Sequence, residues 1–317
     1  MSDKLKTSIE ECFENVADPR VEGRCDHKLM DMIVIAICGV ICGADSWTGI
    51  ETFGRAKEQW LSTFLELRSG IPSHDTFGYI FSRLEGEAFQ KGFVRWVEAV
   101  FQVTKGQVIA IDGKTVRGSH DKQSGKNAIH LVSAWASANG IVLGQRKVDG
   151  KSNEIVAIPE LLRLLDVSGC IVTIDAMGCQ KKIAQTIRDE KADYILQVKD
   201  NQAKLKQDIE DWFAYGDKQA FKGMQMDFHQ TTHKTSGRIE IRRCWVVNDP
   251  LAFEYIRHYE GWADLNSIIR IQRERRQQEH ISLETAYYIS SLSANAALMV
   301  DATQHHWGIE NSFHWVL

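Results

Sequence analysis

Asp112, Asp175 and Glu310 are the residues whose types and settings suit chemistry on phosphates. Asp112 follows four apolar residues, Val108 to Ile111, and precedes Gly113 and a polar, basic stretch ending near His120. Asp175 closes a second apolar run in CIVTIDAMGCQ (170–180), and Glu310 sits in QHHWGIENSFHWVL (304–317). A short apolar run next to glycine reads as a buried strand. An acid held at the end of such a strand is costly unless a cation meets it. Taken alone, Asp112-Gly113 reads better as a strand-ending turn. Glu310 has His306, Trp307, Phe313 and His314 on its helical face, where a structural ion pair competes with metal coordination as its role. Three acids from separate elements give the hard oxygen donors of a paired Mg²⁺ site, few enough to leave room for phosphate.

Those acids need strands and helices to bring them together. Apolar runs at 108–111, 128–137, 140–148, 170–175 and 194–198 read as strands, with Asn139-Gly140 as a hairpin signal. Segments 152–166 and 180–190 read as helices, the first with Ile155, Ile158, Leu161, Leu162 and Leu165 on one face. A last helix is expected over 295–317. Three strands, helix, strand, helix, strand and a final helix is the element order of an α/β, RNase H-like fold. There the fourth strand lies parallel to the first after a right-handed crossover, which draws Asp175 to Asp112. After a helix at 201–215, residues 222–292 read as a β-rich insertion, with strand patterns in 228–247, 267–271 and 285–290. Its basic run, Arg270, Arg273, Arg275 and Arg276, is either a solvated hairpin or a phosphate contact.

Residues 1–104 read as an all-α N-terminal domain, a possible DNA-binding part, ahead of the catalytic domain at 105–317. Its helices are expected at 27–44, 47–55, 57–67, 75–84 and 86–104, with Ser46 and Ser73 as N-caps. His74 and Trp47 read as loop and core residues. The chain has 317 residues, 44% apolar and 25% charged, enough for a sizeable core. Its net charge of −4 gives no whole-molecule field for nucleic acid, so a DNA surface has to be local. Seven cysteines, an odd number without a CxxC pair, argue against a zinc ribbon and fit a reducing cytoplasm. The first ten residues do not read as a signal peptide. The longest apolar stretch, 32–44, is shorter than the roughly 20 residues of a membrane span. Nucleophile-elbow, phosphate-loop and zinc-protease motifs are absent, and His305-His306 is adjacent rather than helix-spaced.

The sequence resembles the DDE transposases of bacterial insertion sequences, the H-repeat-associated type. AIDGKTVRGS (110–119), KSNEIVAIPELLRLLD (151–166), TIDAMGCQ (173–180) and HWGIENSFHW (306–315) carry the likeness. HKLMDMIVIAICGVICGADSW (27–47) and GIPSHDTF (70–77) extend it over nearly the whole chain. The resemblance implies a transposase that cleaves DNA at the element's ends and joins it to target DNA. Two Mg²⁺ (or Mn²⁺) ions would sit on Asp112, Asp175 and Glu310. It implies double-stranded DNA as partner (terminal repeats and target), a homodimer in the synaptic complex, and a cytoplasmic protein with no membrane association. Lys114, Arg117, Lys199, Asn201, Arg270, Arg273, Arg275, His306, Trp307 and Asn311 are the candidate DNA contacts. Gln304 stands where the family pattern has arginine. The resemblance also implies a longer final helix and further helices beyond Leu317, so a truncated chain is expected. The alternatives are an inactive remnant that binds DNA or dimerises, and another RNase H-like nuclease.

Overall fold

A computed structural model describes residues 9–21, 25–100, 106–116, 119, 128–138, 140–148, 154–235, 237–277 and 280–309. The chain divides into two compact units, 1–102 and 103–317. The first unit is helical: residues 9–13 are followed by α1 (Leu29–Ile41), α2 (Trp47–Leu61), α3 (His74–Phe81) and α4 (Gly86–Val100). Ser46 and Ser73 cap α2 and α3, accepting from the amides of Gly49 (3.2 Å) and Thr76 (3.3 Å). The two helices read at 47–55 and 57–67 are one, because Ala56 between them offers neither a cap nor a break. Trp47 stacks on Phe77, and His74 pairs through Nδ1 with Glu51 at 2.7 Å.

The second unit is mixed α/β around one nine-stranded sheet. Its strands are β1 (Val108–Thr115), β2 (His130–Ala136), β3 (Ile141–Val148), β4 (Ile171–Ile174), β5 (Asp193–Val198), β6 (Met226–Thr235), β7 (Arg238–Val247), β8 (Ser267–Gln277) and β9 (His280–Ser290). Helices α5 (Glu154–Leu164), α6 (Lys181–Asp189), α7 (Ala203–Lys218), α8 (Pro250–Tyr255) and α9 (Ala296–Gly308) complete it. The strand order is β3-β2-β1-β4-β5-β9-β8-β7-β6. β4 runs parallel between β1 and β5, and the remaining pairs are antiparallel. The β-rich segment therefore extends the central sheet, joined through β9 on β5.

The pleat fixes which residues meet which layer. Val108, Ile171, Ile195, Cys244, Val246, Ile269 and Ile271 face Ala296, Met299, Val300 and Ala302 of α9. The opposite face of β1, β4 and β5 carries Ile109, Ile111, Val172, Ile174, Tyr194 and Leu196, all at or near zero exposure. α5 and α6 lie on that side. Three expectations change. Asp112-Gly113 is not a turn: β1 continues through it to Thr115, paired with β2. β8 and β9 reach beyond 271 and start before 285, because the basic run is itself strand. In α5, Ile155 is exposed and Glu154 is buried instead, at 5%. Among the described residues no helix is long and apolar enough to cross a membrane.

Candidate active site

The register of β1 on β4 sets the geometry. Val108, Ile109, Ala110 and Ile111 pair with Ile171, Val172, Thr173 and Ile174. The next positions along the two strands are Asp112 and Asp175. Backbone strands about 4.8 Å apart thus end their pairing in two carboxylates on the same face, that of Ala110 and Thr173. Asp112 is half-buried, and its Oδ1 accepts from the Gly113 amide at 2.8 Å. Asp175 keeps an extended backbone and then caps a short 3₁₀ turn, Ala176–Gly178, accepting from Met177 N at 3.0 Å.

That turn is tied down from behind. Asn201 Nδ2 donates to Ala176 O at 2.5 Å, and Gln202 Nε2 to Cys179 O at 2.9 Å. Asn201, read as a DNA contact, has its amide engaged in holding the Asp175 loop. Gly178 lies so close to Ile174 that a side chain there would overlap it.

α9 crosses the carboxylate-bearing face. His306 Nδ1 meets Thr173 Oγ1 at 3.1 Å, and Ser137 Oγ donates to the His305 carbonyl at 3.1 Å. Ile309 packs on Ala110 and Trp135. The crowding around His306 holds its pKa down at about 4 although the charge of Asp175 works the other way. Glu310, Asn311 and Arg117 lie outside the described residues. Among the described residues no three metal-binding side chains gather. The two aspartates do supply hard oxygen donors on one face, the donor type Mg²⁺ or Mn²⁺ takes.

The basic run sorts by parity. Arg273 and Arg275 share the α9 face with Arg242 of β7, since Arg242 pairs with Arg273 and Glu240 with Arg275. Lys199, Gln197, Arg242, Arg273, Gln304 and Trp307, with Glu284, line one cleft of about 320 Å³ against α9. Arg273 pairs with Glu284 and Arg275 with Glu240 at 3.2 Å, so their charges are partly matched. Arg270, one pleat out of phase, points to the other face. It is 6% exposed, bridges both oxygens of Asp217 (2.6 and 2.8 Å) and stacks on Trp245 and Phe213. Arg270 is thus a buried structural residue, which corrects its reading as a phosphate contact. Lys114 shares the pleat face of Asp112 and is half-buried. Arg242 was missed by sequence reading because it lies a strand away from the basic run it joins.

Acids that follow the paired run of two parallel strands share one sheet face with arginines of the late strands, a combination that suits a protein acting on a polyanion. The transposase DDE domain matches residues 104–317, and the DDE_Tnp_1-associated domain matches 10–97. The chain belongs to the DDE transposase family. It is similar to an Escherichia coli O157:H7 protein named "Putative transposase YncI", 42% identical over 303 residues, or 95% of this chain and 77% of that one. It is also similar to "H repeat-associated putative transposase YhhI" of Escherichia coli K12, 37% identical over 309 residues, 95% and 80% of the two chains.

Proposed function

We propose that this chain cleaves insertion-sequence ends and transfers the freed strand into target DNA by two-metal-ion phosphoryl transfer. The register that sets Asp112 beside Asp175, under the end of α9, carries this reading. The unit is read as an RNase H-like catalytic core, with Glu310, the second residue beyond α9, as the third acid. Bound Mg²⁺ or Mn²⁺ would polarise the scissile phosphate and activate the attacking water or 3′-hydroxyl.

The chain's own residues do the rest. Asp112 and Asp175, with Glu310, would hold the ions. The Met177 amide and the Asn201 tie keep Asp175 from swinging away. Lys199, Arg242 and Arg273 face the cleft and contact the DNA backbone, while Trp307 packs against sugar or base. Lys114 and Arg117 follow the first aspartate and hold the phosphates flanking the cut. Arg275 extends the basic strip, and Asn311 borders the third acid. The working form is a homodimer on double-stranded DNA in the cytoplasm.

Nicking of supercoiled plasmid with Mg²⁺ or Mn²⁺ tests this, comparing the chain with Asp112→Ala and Asp175→Ala. Activity lost in both variants supports the site, and equal activity in all three sinks it. No activity in a folded wild-type chain favours the inactive remnant. Joining of a labelled 3′ end to target DNA separates a transposase from a simple nuclease.

A further inference from the structure

Past Ile111, β1 loses β4 as a neighbour, since their pairing ends there. Among the described residues, the strand that pairs with Asp112, Gly113, Lys114 and Thr115 is β2. Such a strand end needs another restraint if its aspartate is to keep its direction. The restraint lies beneath it, on the face away from α9. Glu154, at the start of α5, seats its carboxylate directly on Gly113, where any side chain would overlap it. The same carboxylate pairs with His130 Nε2, and His130 Nδ1 meets Thr115 Oγ1 at 3.0 Å. Glu154 and His130 are 5% and 2% exposed. With Glu154 ionised, Nε2 donates to it and Nδ1 accepts from the threonine hydroxyl.

We propose that Glu154 and His130 are positioning residues that brace β1 from below and so aim Asp112 at Asp175. This deepens the proposed function and rests on Asp112 being a metal ligand there. Both are buried polar side chains, and they meet β1 where its neighbour leaves.

The test uses the full chain without DNA, Mn²⁺ as probe, and two readouts: the Mn²⁺ binding isotherm and amide hydrogen exchange at 112–115. Glu154→Ala and His130→Ala are each expected to weaken Mn²⁺ binding about tenfold, with faster exchange at Gly113 to Thr115. The double variant is expected to lose no more than either single one. Glu154→Gln, whose amide oxygen still accepts from Nε2, is expected to bind Mn²⁺ nearly as wild type. A role in stability alone would lower Tm and leave Mn²⁺ affinity unchanged below Tm, and that result overturns the proposal. Unchanged exchange at 113–115 overturns it too. Where the alanine variants do not fold, Thr115→Val removes only the outer bond and is expected to speed exchange and weaken Mn²⁺ binding about threefold; no change overturns it. Wild type and Asp112→Ala binding Mn²⁺ equally would refute the metal reading and the positioning role with it. Exchange would then still report whether the brace holds β1.

Discussion

In β1, β4 and β5 every residue from Val108 to Ile111, from Ile171 to Ile174 and from Tyr194 to Leu196 is buried, and charge within these strands stands only outside those runs, at Asp112, Lys114 and Asp193. In β6 to β9, eight lysines and arginines stand against four acids inside the strands themselves, in a chain whose net charge is −4. Both halves share one sheet and one helix, α9, across one face. The parallel half is covered on both faces, so it can carry acids only at its rim, where a charge costs less than between two covered faces. The antiparallel half extends past α9 into solvent, so alternate positions can carry arginine. One face then runs from an acidic rim to a basic strip, the arrangement on which the proposed function rests.

Substitutions at the rim and on the strip should separate in what they change. Asp112→Ala or Asp175→Ala is expected to cost metal-dependent nicking about a thousandfold, the loss of several kcal/mol of charge stabilisation, read from plasmid nicking rates. In the basic half, Arg270→Ala is expected to lower stability by about 2 kcal/mol, since it loses its aromatic stack and leaves Asp217 unpaired. Chemical denaturation would show it, and the salt dependence of DNA binding should not move. A shifted salt slope with intact stability would return Arg270 to the DNA surface.

Arg242→Ala and Arg273→Ala should behave in reverse. Each is expected to reduce the slope of log affinity against log salt by about 1, with stability within about 0.5 kcal/mol of wild type. Equal effects from Arg270→Ala and Arg273→Ala would erase the distinction between the two faces of β8. A smaller effect is expected in pH dependence. His306 has a folded pKa of about 4 against an ordinary 6.5. A depressed histidine resists protonation when folded, so its stabilisation is present above 6.5 and is lost as pH falls towards 4. His306→Gln should flatten that part of the metal-free stability profile relative to wild type, and parallel profiles would refute the shift.

The apolar runs before Asp112 and Asp175 were legible because a buried parallel strand must be continuously apolar. The two serine caps were legible because capping is a local hydrogen bond. Less legible was the Asp-Gly step: in isolation it favours a turn, and pairing with β2 overrides that preference. The α5 face was misjudged at its first turn. Hydrophobic periodicity puts Ile155 inside, whereas His130 and the open Cα of Gly113 draw Glu154 inside instead. Arg270 looked like its neighbours because a charge run does not state its pleat phase, and register against β7 and β9 decided it.

The sequence alone determined the element order, the two acids at the ends of apolar strands and the basic character of the late strands, all of which follow from local composition and periodicity. The element order already drew the fourth strand to the first; only the tertiary structure decided the register that ends their pairing just before Asp112 and Asp175, that Arg242 joins Arg273 while Arg270 turns away, and that Glu154 lies under Gly113. Each depends on strand register or helix rotation between segments distant in the chain. A shift of one residue moves a side chain to the other face, and no local pattern fixes that choice.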